Sequence, residues 1–497
     1  MKTDTIAAIA TGMTNSGIGI VRVSGDEAIS IVNKIYRSKN NKKKLIDVKS
    51  HTIHYGFIYD GENLIDEVMV SVMKAPNSFT AEDTVEINCH GGVLVMNKIL
   101  ETVIKYGART AEAGEFTKRA FLNGRIDLAR AEAVMDIIHS KSEFALKSSV
   151  SQLKGSVSNE IKEIRADIIY EIAFIESALD DPEHISLEGY PQKLSEKVDK
   201  LLERIQKLLN SSENGKILKE GIKTVILGKP NAGKSSLLNL LVGEEKAIVT
   251  NIAGTTRDIL EESISLNGVV LNMIDTAGIR STEDVVEKIG VSRAIEYASD
   301  ADLIIYVVDS SVSLDESDEQ IISLIKGKNA IVLLNKTDLE AVVTEEMLLE
   351  TIHKADSNDE INNSVINIGS NNSEEKNSNL EINSNMLATA NQIKIIKTST
   401  KENTGIDIFE DTIKEMFFHG DISFNDEVFI TNMRHKEAIM DAKNSLLMVK
   451  QSLEDNMPED FYSIDLMSAY ASLGAIIGEE VSEDLVNEIF SKFCMGK

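Results

Sequence analysis

A glycine-rich segment, Gly228–Ser235, carries the residue types that bind phosphate groups. It follows an apolar run, Thr224–Leu227, that is typical of a buried strand. Glycines let the backbone curl so that its N–H groups point at phosphate oxygens, a lysine can reach the β- and γ-phosphates, and a serine hydroxyl can bind Mg²⁺. The spacing predicts a nucleotide-binding loop in which Lys234 contacts the phosphates and Ser235 ligates Mg²⁺.

Three further segments contain groups that recognise Mg²⁺ and guanine. Asp275–Gly278 follows an apolar run, and its aspartate can hold Mg²⁺ through water. Asn335–Asp338 closes another run, and the carboxylate of Asp338 can accept hydrogen bonds from guanine N1–H and from the exocyclic amine, which adenine does not present. Ser399–Lys401 follows the last run, at the usual position of a backbone contact to guanine O6. The order of these segments predicts that the chain binds and hydrolyses GTP.

The loop between the first two motifs completes the predicted site. Its Thr256 can ligate Mg²⁺ once the loop closes on the γ-phosphate. Ile279 follows the Asp-x-x-Gly motif, where Ras-like proteins place a glutamine that positions water, so we expect another group to orient the attacking water. The predicted GTP-binding residues are Asn231, Ala232, Gly233, Lys234, Ser235, Ser236, Thr250, Asn251, Ile252, Ala253, Gly254, Thr255, Thr256, Asp275, Thr276, Ala277, Gly278, Asn335, Lys336, Asp338, Ser399, Thr400 and Lys401.

The composition limits the class of protein. A net charge of −28 disfavours nucleic-acid binding over the whole surface, because phosphate binding needs Lys and Arg. No apolar run is long enough to span a membrane, and the first residues lack the layout of a signal peptide. The two cysteines, Cys89 and Cys494, suggest neither a disulfide framework nor a zinc site. We expect a cytoplasmic protein without membrane contact, in which Cys89 is structural.

The elements that must position these residues fall into four stretches of a chain of 497 residues. Residues 1–120 mix strands and helices, 121–220 carry helical periodicity, 221–420 alternate short apolar runs with helices, and 421–497 return to helical periodicity. The predicted fold class is multidomain, with an α+β N-terminal domain, an all-α helical domain, and an inserted α/β Ras-like G domain.

Local patterns refine this division. Gly215 and Gly221 predict a linker before the α/β domain. The segment 356–386 is rich in Asn, Ser and Glu, which predicts a disordered, mobile insertion. Predicted strands are Thr5–Ile9, Gly17–Ser24, Val68–Met73, Thr84–Asn88, Thr224–Leu227, Val270–Ile274, Leu303–Val308, Ile331–Leu334 and Ile393–Ile396. Predicted helices include Met96–Lys105, those within Ala145–Leu179, and Leu194–Leu209.

Several motifs outside the α/β domain carry a family resemblance. The chain ends in Phe490–Lys497, with a Cys-x-Gly-Lys terminus. With Gly17–Gly25, Ser78–Glu86 and Gly114–Arg125, and with a G domain set between helical stretches, the sequence resembles the MnmE (TrmE) family of tRNA-modification GTPases over nearly its full length. The Asn- and Ser-rich segment is the main departure.

The resemblance implies G domains that dimerise in a potassium-dependent way. Asn231, Thr250, Ile252 and Thr255 match the residues that surround K⁺ beside the phosphates, and Glu287 matches the glutamate that orients the attacking water. The alternative for Asn231 is a turn-forming role, and the alternative for Glu287 is an ordinary surface position on a helix.

The resemblance also implies a tetrahydrofolate site in the N-terminal domain, 1–120, which would serve dimerisation as well. The ligand would be 5,10-methylenetetrahydrofolate or 5-formyltetrahydrofolate. Arg22, Glu86, Arg125 and Lys497 match its lining, since a carboxylate suits the pterin N–H edge and cations suit the glutamate tail. Cys494 is a candidate nucleophile in its own right, because it is a thiol near a lysine, with a small buried structural cysteine as the alternative.

A member of this family would be a homodimer that forms a heterotetramer with a FAD-dependent, MnmG-type subunit. It would modify C5 of the wobble uridine of tRNA, with GTP, Mg²⁺, K⁺ and the folate as cofactors. One alternative is a regulatory ribosome-assembly GTPase of the Era or Der type, which shares the nucleotide motifs but carries an RNA-binding module or a second G domain. Another is a folate-binding protein with an incidental GTPase.

Overall fold

The computed structural model describes residues 4–39, 43–243, 262–266, 268–274, 298–352, 393–417, 428–479, 481–493 and 496. Contacts divide the chain into two compact units. Unit 1 comprises Met1–His139, Ser149–Leu209 and Met433–Lys497, and unit 2 comprises Ser140–Ser148 and Asn210–Asn432. None of the helices in these ranges combines the length and the apolar character that a bilayer crossing needs.

Helices are most frequent in the middle and at the end of the chain. They are α1 (Ala28–Ile35), α2 (Val93–Lys105), α3 (Glu115–Leu122), α4 (Leu128–His139), α5 (Glu143–Lys154), α6 (Ser156–Asp180), α7 (Tyr190–Glu220), α8 (Lys234–Gly243), α9 (Glu316–Ile325), α10 (Ile406–Phe417), α11 (Met433–Glu454), α12 (Glu459–Ile477) and α13 (Glu483–Ser491).

A seven-stranded sheet forms the N-terminal part of unit 1. Its strands are β1 (Ile6–Ile9), β2 (Ser16–Ser24), β3 (Tyr36–Ser38), β4 (Thr52–Asp60), β5 (Asn63–Met73), β6 (Thr84–Gly91) and β7 (Arg109–Thr110), in the spatial order β3-β4-β5-β6-β2-β1-β7. All neighbours are antiparallel except β1 and β7. Helices α1 and α2 share an apolar core with the sheet, in which Val21, Ile87 and Met96 are fully buried.

The four strands predicted in this region are confirmed as β1, β2, β5 and β6, and the predicted helix as α2. Strand β4 was not predicted because its apolar residues do not all point inward. Ile53 and Tyr55 are 68% and 46% exposed, whereas Ile58 is buried. Alternation along a strand indicates burial only when the apolar side faces the core.

Four long helices, α6, α7 as far as Leu209, α11 and α12, form a bundle in unit 1 in which neighbours run antiparallel. Arg204 of α7 forms ion pairs with Glu160 and Glu163 of α6. Lys450 of α11 lies 2.7 Å from Asp199 of α7, and Ser463 of α12 donates to Glu176 of α6. The bundle interior is apolar, with Ile168, Val198, Leu446 and Leu466 among its fully buried residues.

Unit 2 contains a six-stranded sheet with helices on both faces. Its strands are β8 (Ile222–Leu227), β9 (Glu262–Leu266), β10 (Val269–Met273), β11 (Leu303–Asp309), β12 (Ala330–Asn335) and β13 (Ile393–Lys397), in the order β13-β12-β11-β8-β10-β9. All neighbours are parallel except β10 and β9. Leu237 and Phe409 pack on one face, and Ile322 and Leu348 on the other. The predicted α/β fold is confirmed.

The predicted linker at Gly215 is wrong, because α7 continues without a break to Glu220. A Cβ atom at position 215 would lie 2.2 Å from the carbonyl oxygen of Ile430, so glycine is needed there by close backbone approach rather than by a turn. Gly221, with φ +79°, does separate α7 from β8. The domain boundaries near 120, 220 and 420 stay predictions, and the segment 356–386 lies outside the described residues.

Candidate functional site

The segment Gly228–Ser235 joins β8 to α8 and includes the first two residues of α8, as the phosphate-loop pattern requires. Gly228 has φ +148°, and a Cβ there would lie 2.4 Å from the carbonyl oxygen of Val307. Gly233 has φ +109°, and a Cβ there would lie 2.1 Å from Nδ2 of Asn335. Asn231 adopts φ +63°, a conformation that asparagine tolerates better than most residues. Residue type therefore specifies the loop backbone at three positions.

Lys234, the first residue of α8, turns its side chain back over the loop. Its Nζ donates to the carbonyl oxygens of Gly228 at 2.5 Å and Lys229 at 2.7 Å. Burial lowers the pKa of this ammonium below its ordinary value. Phosphate oxygens in the loop would give the buried cation the counter-charge that carbonyl groups supply only in part. Ser235 and Ser236 follow in the first turn of α8.

A second lysine anchors the loop from outside. Nζ of Lys229 lies 2.7 Å from a carboxylate oxygen of Asp318 and 3.0 Å from one of Asp315. Asp315 caps α9 through the N–H groups of Ser317 and Asp318, and the hydroxyl of Tyr306 donates to Asp318 at 2.6 Å. The start of the phosphate loop is therefore held by α9 and β11.

Asn335 connects the phosphate loop to the guanine end of the site. It is 1% exposed, its Nδ2 donates to the carbonyl oxygen of Ala232 at 2.9 Å, and its Oδ1 accepts from the N–H of Thr400 at 3.2 Å. One amide side chain thus joins three of the predicted motifs. Lys336 next to it has φ +63°, and its Nζ lies 2.6 Å from a carboxylate oxygen of Asp309.

Asp338 is held as a carboxylate at the predicted guanine position. The hydroxyl of Ser399 donates to its Oδ1 at 2.8 Å, and Nζ of Lys401 lies 3.6 Å from its Oδ2. The Ser399 hydrogen bond, with the nearby Lys401 charge, lowers the pKa of Asp338 below its ordinary value. An ionised carboxylate is an acceptor only, which matches two N–H groups on one edge of guanine.

Fourteen predicted site residues lie outside the described residues. They are Thr250, Asn251, Ile252, Ala253, Gly254, Thr255, Thr256, Asp275, Thr276, Ala277, Gly278, Glu287, Cys494 and Lys497. Of the predicted ligands of K⁺ and Mg²⁺, the structure thus describes Asn231 and Ser235.

A second cluster lies in unit 1, where β2 and β6 pair. Arg22 and Glu86 are register partners on these strands, and Nε of Arg22 lies 2.9 Å from Oε1 of Glu86. Nη1 of Arg22 also donates to the carbonyl oxygen of Gly496 at 3.1 Å. Two residues predicted from the folate resemblance are therefore in direct contact, and Gly496 binds one of them, Arg22.

Phe79 lies between the two predicted arginines. The guanidinium of Arg22 is 5.9 Å from the centre of its ring, and that of Arg125 is 5.0 Å from it. A cavity of about 480 Å³ opens beside Phe79 and Arg125. It is lined by Phe79, Arg125, Ile126, Arg130, Val134, Ile137, Ile138 and Leu153. An aromatic ring, apolar walls and guanidinium groups suit a planar ligand with carboxylate groups.

Gly496 explains one position of the C-terminal motif. Its φ is +86°, and a Cβ there would lie 2.4 Å from the carbonyl oxygen of Ile9 at the end of β1. Cys89, which we predicted to be structural, is 4% exposed, and its thiol donates to the carbonyl oxygen of Gly19. Burial raises the pKa of Cys89 to about 11, which keeps it as an unreactive thiol.

Two residues that contact these sites cannot be identified from the sequence alone. Phe79 lies within the Ser78–Glu86 motif, but nothing local shows that two distant arginines converge on its ring. Lys229 occupies a variable position of the phosphate-loop pattern. Its partner Asp318 lies 89 positions away, so the sequence of the loop does not indicate the ion pair.

Comparisons with known proteins agree with this architecture. A family model described as "MnmE helical domain" matches residues 128–494, and one described as "GTP-binding protein TrmE N-terminus" matches residues 5–125. The tRNA modification GTPase MnmE of Lachnoclostridium phytofermentans is 56% identical over 497 residues, which is 100% of both chains. That of Acetivibrio thermocellus is 47% identical over 500 residues, again 100% of both chains.

A solved structure, the G domain of T. maritima FeoB, is 22% identical and covers 39% of this chain and 98% of its own. Its TM-score of 0.22 is too low to support a conclusion. The end-to-end match to the curated relatives needs no such support: this chain belongs to the MnmE family of tRNA modification GTPases.

Proposed function

We propose that this chain hydrolyses GTP and, with a FAD-dependent partner subunit, modifies C5 of the wobble uridine of tRNA with a one-carbon unit from tetrahydrofolate. The observation that carries the proposal is the pair of built sites. Unit 2 joins a phosphate loop to a guanine-reading carboxylate through Asn335, and unit 1 brings Arg22, Glu86 and Gly496 together beside Phe79. A cytoplasmic location is part of this proposal.

In the nucleotide site, each described residue has a separate task. The loop N–H groups and Lys234 would bind the phosphates, Ser235 with Thr256 would ligate Mg²⁺, and Asp338 would select guanine. Mg²⁺ would neutralise charge on the β- and γ-phosphates. The positive φ values at Asn231 and Gly233 suit a loop whose N–H groups turn towards one point, where the phosphates would lie.

The attacking water requires an orienting group other than Ile279. Glu287 is our candidate, since a carboxylate can accept a proton or a hydrogen bond from water. The charge that develops on the phosphates also requires positive charge beside them. We assign that charge to K⁺, with oxygen ligands from Asn231, Thr250, Ile252 and Thr255. The exposed amide of Asn231 at the loop tip supports the assignment.

Replacement of Na⁺ by K⁺ in the assay buffer tests the cation site. We expect GTP turnover to be much faster in K⁺ than in Na⁺. Asn231→Gly tests the ligand itself, because glycine accepts φ +63° while losing the amide oxygen, so a turn-forming role would survive this change. We expect Asn231→Gly to abolish the K⁺ response. The matched control is Asn403→Gly at another asparagine of positive φ, +54°, and it should retain that response. Equal turnover in K⁺ and Na⁺ would reject the site.

In the N-terminal site, Glu86 and the guanidinium groups of Arg22 and Arg125 would hold the folate, together with Lys497. The folate would supply the one-carbon unit. The residues of this chain would orient the folate. Phe79 offers the face of its ring. Arg22 binds Oε1 of Glu86, and Oε2 of Glu86 would accept a hydrogen bond from the pterin N–H edge. Cys494 lies two positions from Gly496, whose carbonyl oxygen binds Arg22, so the motif suits a thiol that acts near this site.

Nucleoside analysis of tRNA tests the whole proposal. In a strain that lacks this protein, we expect the modified wobble uridine to disappear and to return when the wild-type chain is supplied. Cys494→Ser should turn over GTP at close to the wild-type rate but should not restore the modified nucleoside. An unchanged nucleoside profile in the deletion strain would instead favour the ribosome-assembly GTPase.

The proposed homodimer has a candidate contact on the open face of the N-terminal sheet. Tyr55 of β4 and Met69 of β5 are register partners and are 46% and 49% exposed. Ile53 beside them is 68% exposed. Exposed apolar patches of this kind mark contact surfaces. The Arg22–Glu86 pair belongs to the same sheet, so a second copy on this face would lie close to the folate site.

A further inference from the structure

The outward side of α12 exposes an apolar row in the helical bundle of unit 1. We call it the outer face of α12 and define it by Asp460, Phe461, Ile464, Met467 and Ser468. These positions recur every three or four residues and so share one side of the helix. Phe461, Ile464 and Met467 are 49%, 64% and 49% exposed, while the opposite side of α12 is buried in the bundle.

Two chain segments at this face carry negative charge. No Lys or Arg occurs from Gln451 to Ser491, and none from Ala166 to Gln192. The first of these segments contributes carboxylates just before α12 and in its first two turns. They are Glu454, Asp455, Glu459, Asp460 and Asp465. An ordinary solvent-exposed helix face carries both positive and negative side chains and few large apolar ones, and this face differs in both respects.

The end of α6 adds further carboxylates to the same edge. Ser463 of α12 donates to Glu176 of α6 at 2.8 Å, and the guanidinium of Arg165 lies 3.9 Å from the ring centre of Tyr470. These two contacts show that α6 and α12 run antiparallel. Both helices rise by the same length per residue, so Asp180, four residues beyond Glu176, lies level with the first turn of α12. The apolar row is therefore bordered by carboxylates from two segments.

We propose that the outer face of α12 docks a protein partner whose contact surface has an apolar centre surrounded by Lys and Arg. The carboxylates exclude tRNA phosphates by repulsion, and two copies of the face would repel each other in the same way. Phe and Met are side chains that protein interfaces favour, and Met adapts to irregular surfaces. The identification of this partner as the FAD-dependent subunit rests on the proposed function.

The chain offers a matched pair of methionines for the test. Met467 lies on the outer face of α12 and is 49% exposed, and Met440 lies on α11 of the same bundle and is 47% exposed. Lys436 and Lys443 flank Met440, so its surroundings carry both signs of charge. We would titrate purified FAD-dependent subunit into the wild-type chain, Met467→Lys and Met440→Lys, and measure affinity and its salt dependence by calorimetry.

Met467→Lys should weaken binding at least tenfold, about 1.4 kcal/mol, because an ammonium enters an apolar contact. Met440→Lys should bind within about twofold of the wild-type chain, which controls for a general effect of a new lysine on the bundle. Wild-type affinity should fall as salt rises, and Asp460→Asn should reduce that slope.

The possible failures are distinguishable. Equal binding of the subunit by wild type and Met467→Lys would overturn the docking surface and leave the proposed function intact. Failure of the wild-type chain to bind the subunit at all would overturn both the partnership and this assignment. If Met467→Lys dissociated to a smaller species in light scattering, the face would be a contact between two copies of this chain. If that variant lost tRNA binding, the face would be a nucleic-acid surface. Either result rejects the proposal.

Discussion

The nucleotide site and the N-terminal site are built in different ways. The phosphate loop is one continuous segment whose backbone is specified by Gly228, Asn231 and Gly233, each at positive φ. The N-terminal site is assembled from distant segments: Arg22 and the carbonyl oxygen of Gly496 are 474 positions apart and joined by a hydrogen bond of 3.1 Å. The first site uses backbone geometry, and the second uses long-range side-chain contacts.

The difference predicts how each site responds to change. In the proposed nucleotide site one side chain, Asp338, would select the base, so a single substitution should alter which nucleotide binds without disturbing the loop. A site held by side chains from separate strands should lose affinity when either partner of a pair is removed. The two sites also lie in separate units, so each should be alterable alone.

The largest effect is expected at Asp338. In Asp338→Asn the acceptor for two guanine N–H groups becomes an amide, so GTP affinity should fall at least about 100-fold as hydrogen-bonded groups lose their partners. Xanthosine triphosphate presents a carbonyl group where guanine presents an amine, and an amide can donate to it. Xanthosine triphosphate should therefore bind the variant more tightly than GTP does, as measured with fluorescent nucleotides.

Glu340→Gln, a neighbouring exposed carboxylate, is the matched control and should bind GTP like the wild-type chain. Folate binding by Asp338→Asn should not change. A variant that loses both nucleotides equally would mean that Asp338 supports the loop rather than reading the base.

A smaller effect is expected at Arg22. Arg22→Gln removes the ion pair with Glu86 and the charge that faces Phe79, so affinity for 5-formyltetrahydrofolate should fall at least about tenfold in calorimetry. GTP turnover should stay within about twofold of wild type. Arg37→Gln is the control, because Arg37 also lies over an aromatic ring in the same sheet, 4.2 Å from the centre of Tyr59, but contacts neither Glu86 nor Phe79. A parallel fall in GTP turnover would contradict the separation of the two sites.

The same difference explains what could be read from the sequence. The phosphate loop, Asn335 and Asp338 were predicted from local spacing, because their chemistry is contiguous along the chain. Arg22 and Glu86 were predicted only through a family resemblance, since their contact depends on the register of β2 and β6. Gly215 was misread as a linker because its requirement for glycine comes from the carbonyl oxygen of Ile430, which is distant in sequence.

A third cluster lies in neither site and can separate loss of a site from loss of the fold. Glu132 of α4 accepts from Arg434 at 2.8 Å and lies 2.7 Å from Nε2 of His435, which is fully buried. Burial alone would raise the pKa of Glu132, but the charges and hydrogen bonds of His435 and Arg434 lower it from 4.5 to about 2. Folding therefore favours the ionised carboxylate.

The smallest functional effect is expected when this carboxylate is removed. The folded pKa lies below the unfolded one, so the stabilisation is present above about pH 4.5 and is lost as the pH falls towards 2. Glu132→Gln should lower the free energy of unfolding near neutral pH by about 3 kcal/mol, because Arg434 and His435 lose a buried counter-charge. The variant should also show a weaker dependence of the free energy of unfolding on pH in that interval, as followed by circular dichroism.

GTP turnover and folate affinity, measured where the variant is folded, should match wild type. Glu163→Gln, which removes an exposed partner of Arg204, should change stability by less than about 0.5 kcal/mol. If Glu132→Gln instead reduced folate affinity as strongly as Arg22→Gln, the N-terminal site would depend on the helical scaffold and not on its own strand pair alone.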